Sequence, residues 1–140
     1  MGRIETFDHT ADVGLRIVGT DLDDLFRTAA EGLIDYIVVN RDAVRTTVNE
    51  SVILRADSTA DLLLDWLGEL IFRCETSHML YSQFNVHVSA NGLDLTAEIK
   101  GEPIDHDRHV LDHEVKAVTR HGATLHHDGD EWHAELILDI

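Results

Sequence analysis

Two short stretches of this chain hold residue types that could act together chemically. Asp8, His9 and Asp12 set two carboxylates and an imidazole within a few residues of one another, between Phe7 and Val13, and the sequence closes on Leu138-Asp139-Ile140. As the last residue, Ile140 adds an α-carboxylate directly beside Asp139. If the two ends meet, Asp12, Asp139 and the Ile140 carboxylate would offer several anionic oxygens to one hard cation. An all-oxygen set suits calcium or magnesium, whereas zinc draws on histidine and cysteine. The plainer alternative is that Asp8, His9 and Thr10 cap or turn the backbone and that Asp139 is an exposed acid at a fraying end. Two points weigh against it. Asp139 takes the outward phase of a segment whose inward phase is Trp132, Ala134, Leu136 and Leu138, and aspartate is disfavoured in strands.

Lys116 is the next candidate. Only two lysines occur, Lys100 and Lys116, and Lys116 stands among Val115, Ala117 and Val118. A lysine there could pair with a carboxylate of the Asp site or present a point charge to a phosphate or a partner's acid; an ordinary salt bridge is the alternative. Seven of the ten histidines fall between His106 and His133, with His106, His109 and His113 in one polar segment. A loop fixes no ligand geometry, so most of these read as surface residues. No Gly-rich phosphate cradle, GxSxG or CxxC motif is present, and a stand-alone metal-dependent hydrolase is the weakest reading.

Composition sets the frame. The chain has 140 residues, enough for one domain with a real core, and 27 acids against 11 bases give a net charge of −16. Such a surface repels phosphates, so little direct nucleic-acid binding is expected. The acids are spread along the whole chain rather than gathered in a block, which favours adaptation to a salt-rich (halophilic) cytoplasm over a single face for a basic partner. No apolar run is long enough to cross a bilayer, and no basic-then-apolar leader opens the sequence. The single Cys74 is compatible with a reducing interior. A cytoplasmic protein without membrane contact is expected.

The elements that must position these residues follow from periodicity. Ile4 to Phe7 and Val13 to Val18 read as strands. Asp21 caps a helix carrying Leu22, Leu25, Phe26, Ala29, Leu33, Tyr36 and Ile37 at helical spacing. Ser51 to Ala56 alternates. Ser58 caps a second helix with a wide apolar stripe of Leu62, Leu63, Trp66, Leu67, Leu70, Ile71 and Cys74, where Cys74 reads as packing. Phe84 to Val88 and Leu93 to Ile99 flank an Asn91-Gly92 turn, and Asp128-Gly129 marks another hairpin before Trp132 to Leu138. Gly101 to His113 reads as a polar segment holding the single proline, Pro103, and Val115 to Thr119 is ambiguous between strand and helix. The expected class is α+β, two main helices packed on a largely antiparallel sheet.

Five stretches together resemble the archease family. They are Phe7-Asp8-His9-Thr10-Ala11-Asp12-Val13-Gly14, Asp61 to Leu70 around Asp65-Trp66-Leu67, Gly101 to His109, Glu114 to Thr119 with His121, and Trp132 to Ile140. The resemblance runs essentially end to end and implies a single archease-like domain over 1–140. It implies a non-enzymatic activator of the RtcB-type RNA ligase, which joins RNA ends using GTP and divalent metal in tRNA splicing and RNA repair. The activator would promote guanylylation of the ligase and keep it turning over. It also implies a calcium site at Asp12, Asp139 and Ile140, with magnesium as the other cation to consider. The family's important lysine falls on Lys116, and His9, His109 and His121 join it as partner-activation candidates. One departure is Arg120, where the family often has an aromatic residue before the histidine at His121. The rival reading is an acidic chaperone-like protein that modulates the solubility or oligomeric state of a partner.

Overall fold

The structure, a computed structural model, describes residues 2–9 and 12–140, the side chains of Asp8 and His9 excepted. Its seven strands and two helices run β1 (Arg3–His9), β2 (Asp12–Gly19), α1 (Leu22–Ile37), β3 (Val48–Arg55), α2 (Thr59–Ser77), β4 (Met79–Val88), β5 (Asp94–Pro103), β6 (Ala117–Asp128) and β7 (Glu131–Asp139). The α+β class holds, with the strands divided between two antiparallel sheets. One has the order β1-β2-β7-β6 and the other β3-β5-β4. The N-terminal and C-terminal hairpins thus share a sheet, joined where β2 pairs with β7.

Both helices start where their caps require. The Asp21 carboxylate accepts the Asp24 amide at 2.8 Å, and the Ser58 hydroxyl accepts the Asp61 amide at 3.1 Å, each satisfying one orphan donor of a first turn. Each helix touches both sheets, α1 chiefly β4 and β2, and α2 chiefly β6 with contacts to β3, β4 and β5. At the centre Trp66 is fully buried, donates its indole N–H to the Phe26 carbonyl at 3.0 Å and meets Phe84 edge-on. Cys74 is also buried, and loss of water pushes its thiol up to about 12. It is a packing residue. Neither helix is long and apolar enough to cross a membrane among the described residues.

Local differences from the sequence reading have physical causes. β5 runs on to Pro103, so the proline ends a strand instead of sitting in a loop. β3 pairs only as far as Gly101, so no ladder donor is lost at Pro103 on that side. The ambiguous segment from Val115 opens into the long strand β6. Its register slips between Thr119 and Thr124 around Gly122 at φ +75°, and that bulge breaks the alternation. A second bulge falls between Tyr81 and Gln83, where the backbone of β4 crowds Gly101. A Cβ on Gly101 would collide with the Leu80 carbonyl oxygen. Gly101→Ala is therefore expected to lower stability by about 2–3 kcal/mol, read as a lower urea midpoint with an unchanged m-value.

Candidate functional site: the tip of the terminal sheet

Strand register brings Asp12, at the start of β2, and Asp139, at the end of β7, together. Val13, Leu15 and Ile17 of β2 lie opposite Leu138, Leu136 and Ala134 of β7, and all six are buried on the helix side. The intervening residues face outward. Across the strands they form two rows of different chemistry. One runs Glu5, Arg16, Glu135, with the guanidinium between two acids at 3.3 Å and 3.6 Å. The row at the tip runs His9, Asp12, Asp139, Ala117, so the two acids are immediate cross-strand neighbours. Directly opposed residues of an antiparallel pair share a face with Cβ atoms roughly 5 Å apart. Between the rows lie Gly14 and Ile137. A Cβ on Gly14 would collide with the Phe7 ring, which packs over it and carries Arg16 4.3 Å above its centre.

Asp139 is exposed and Asp12 half-buried, with Ile140 following as an exposed residue. Thr10 and Ala11 lie outside the described residues, and so do the side chains of Asp8 and His9. His9 is placed by its backbone alone, opposite Asp12. Among the described residues no three His, Cys, Asp or Glu side chains gather closely enough to hold a metal. The described donors at the tip are the two opposed carboxylates.

Lys116 arrives at the same corner, its amide donating to the Asp139 carbonyl at 2.8 Å. By alternation its side chain shares the phase of Val118, on the helix side, and it lines a groove against α2 instead of facing the carboxylate row. It is exposed and has no ion-pair partner among the described residues. His121 is exposed in the β6 bulge, where its amide donates to the Thr119 hydroxyl. His109 does something different: its ring is fully buried, outside the tip row.

Nδ1 of His109 accepts the Asp105 amide at 2.9 Å, so the ring proton sits on Nε2, which meets Glu102 Oε2 at 2.9 Å. The same carboxylate accepts the Arg45 amide at 2.7 Å and Arg108 Nη2 at 2.5 Å. The Arg108 hydrogen bond, with help from the Arg45 amide and His109 and against the effect of burial, holds the Glu102 carboxyl down to about 2. Arg108 also reaches Asp105 and the Ala43 carbonyl, while Asn40 clasps the backbone at Arg108 and Val110. Together these bonds pin the segment after β5 onto the chain beyond α1, and that segment leads straight to Lys116.

His109 is visible in the sequence as a candidate, but its anchor, Glu102, is not. Glu102 lies in the outward phase of β5 and reads as a solvent-facing acid. It is buried because the following segment folds back over it.

Comparison with known proteins agrees with this architecture. The Archease protein family matches residues 4–140. Protein archease of Methanopyrus kandleri is 35% identical, covering 97% of this chain and 98% of its own. That of Methanothermobacter thermautotrophicus is 34% identical over the full length of both chains. Among solved structures, the solution structure of Methanobacterium thermoautotrophicum protein 1598 superposes with a TM-score of 0.79 at 31% identity, covering 98% of each chain. The crystal structure of a Thermotoga maritima archease, described as a possible chaperone, gives 0.69 at 19% identity with 97% of this chain and 96% of that one covered. With its whole length matched and its two ends folded into one sheet, this chain belongs to the archease family.

Proposed function

We propose that this archease-family chain activates an RtcB-type RNA ligase, promoting its guanylylation and multiple turnover in tRNA splicing and RNA repair. A divalent cation, calcium or magnesium, would be held at Asp12, Asp139 and the Ile140 carboxylate. The observation that carries the reading is the tip row. Two carboxylates placed directly opposite each other on adjacent strands repel, and a cation shared between them turns that repulsion into binding. The donor chemistry, anionic oxygens only, fits a hard cation. When bound, such an ion supplies charge neutralisation to phosphate oxygens.

The chain's own residues do the rest. The tip stands at the end of the sheet, where it can enter a cleft. The Phe7 ring closed over Gly14 stiffens the strand beneath it. Lys116, exposed and without an ion-pair partner among the described residues, presents a point charge to a phosphate or carboxylate of the partner. Lys116→Ala is expected to leave thermal unfolding unchanged and to weaken stimulation of ligation about tenfold, about 1.4 kcal/mol. Dose–response curves of stimulation by the two proteins check this.

The reading itself is tested by multiple-turnover ligation with the RtcB-type ligase of the same organism, with and without this chain. Ligation continuing past one turnover only in its presence supports it. Equal turnover without it refutes it and leaves the acidic chaperone-like role, which has no need of Asp12 or Asp139.

A further inference from the structure

A groove of about 570 Å³ runs between the exposed side of α2 and the start of β6, with Leu64, Gly68 and Phe72 on one wall and Lys116 and Val118 on the other. At Ile71 and Glu75 it adjoins a second pocket of about 360 Å³, lined by Cys74, Leu80, Ile104 and Leu111. Three observations bear on what covers it.

The first is Gly68. It stands in the interior of a 19-residue helix, where glycine costs about 1 kcal/mol relative to alanine. A Cβ there would meet nothing within 4 Å. Packing within this chain gives no reason for the missing side chain. A glycine at such a place lets another backbone approach closely.

The second is Phe72, one turn further along the same wall, which is 60% exposed. The third is charge. Asp65, Glu69 and Glu75 edge the groove along α2. Glu69 is taken up by Arg73, while Asp65 and Glu75 have no ion-pair partner among the described residues. Across from them Arg120 is already engaged by Asp61. The α2 wall is therefore apolar along its floor and acidic along its rim.

We propose that this groove receives an amphipathic helix of a protein partner, with its apolar stripe crossing over Gly68 onto Phe72 and Val118 and its basic residues facing Asp65 and Glu75. A helix laid in a groove is read through apolar anchors one turn apart, and the pocket beside Cys74 accepts one bulky anchor. The acidic rim of α2 repels a phosphate backbone, so the occupant is protein and not RNA. Identifying that protein with the ligase rests on the function proposed above. The groove would then provide affinity, while the Asp12–Asp139 tip, on the other face of the sheet, provides activation.

Gly68→Trp fills the groove from a half-buried helical position where an added Cβ meets nothing, and it replaces glycine with a better helix former, so the fold is retained. With the ligase, this variant is expected to need about tenfold or more protein for half-maximal stimulation, with the same turnover at saturation. Asp139→Asn should show the opposite, lost maximal turnover at unchanged half-saturation. An unchanged half-saturation for Gly68→Trp overturns the proposal.

A second arm stands apart from the ligase. A synthetic helix with one leucine face and one lysine face is titrated into the ¹⁵N-labelled protein, in salt sufficient to screen exposed charges. Shifts confined to residues 64–75 and 116–120 and lost in Gly68→Trp are expected. Shifts scattered over the acidic surface, or persisting in the variant, overturn the groove even if the ligase reading stands. If the unaltered chain fails to stimulate the ligase, only the partner's identity falls, and the peptide titration decides the groove.

Discussion

The double variant Asp12→Asn, Asp139→Asn is expected to fold as the unaltered protein does, and to leave the ligase no more active over many turnovers than it is alone. Strand register is the reason for both halves of that expectation. Asp12 and Asp139 are opposed across β2 and β7, so the inward partners Val13 and Leu138 keep their packing whatever the outward pair carries. Asparagine preserves the shape and removes both charges. A change of an outward cross-strand pair alters stability by about 0.2–1 kcal/mol, so without added cation the two proteins should unfold within about 1 kcal/mol of each other.

With calcium present the two separate. The unaltered protein gains stability by RT ln(1 + [L]/Kd), and the variant, its affinity lowered by about 100-fold or more, does not. Thermal melts with and without calcium, run beside the turnover assay, therefore separate a ligand site from a structural one. A variant that activates normally would end the tip's claim to the mechanism.

Glu102→Ala should destabilise the fold more than any change at the tip or the groove, by about 3–5 kcal/mol. One carboxylate holds the Arg45 amide, the Arg108 guanidinium and the buried His109 ring. Its removal leaves the buried ring proton of His109 and the Arg45 amide without this acceptor. Glu102→Gln should cost less. The amide oxygen can still accept from Arg45 and His109, but its NH₂ then faces Arg108, two donors toward each other.

The same network predicts an acid response. Because the folded protein holds Glu102 down to about 2 from an ordinary value of 4.5, its contribution is fully present above the ordinary value and is lost as pH falls toward 2. Glu102→Gln lacks that component, so its stability should fall less steeply across the same window. Urea unfolding at a series of pH values measures both slopes. Activation should weaken with stability, since the pinned segment positions Val115 and Lys116.

Much of this was legible in the sequence because local signals and burial agreed. Asp21 and Ser58 cap the helices as their residue types predict, the apolar stripe of α2 is the core face, and Gly129 turns the last hairpin at φ +60°. Asp139 was readable as an outward acid from the phase of its strand. What joined it to Asp12 was register, and register belongs to the sheet rather than to either strand.

Other features required tertiary contacts. Glu102 is outward by phase and buried by a returning segment. Lys116 lies next to Asp139 through the backbone but on the opposite face, a distinction spacing near a strand's first residue does not reveal. Gly68 reads as an ordinary residue in a long apolar pattern until the space beside it is seen to be empty. The bulge at Gly122 hid β6 by interrupting the period that would have announced it.

The most direct measurement of the tip's role is a calcium titration of the ¹⁵N-labelled protein, followed at the backbone amides of Asp12, Lys116 and Asp139. A cation site at the tip predicts saturable shifts centred on these strand ends, competed by magnesium and absent in Asp139→Asn. Shifts that bypass the tip, or binding that survives loss of Asp139, would contradict it.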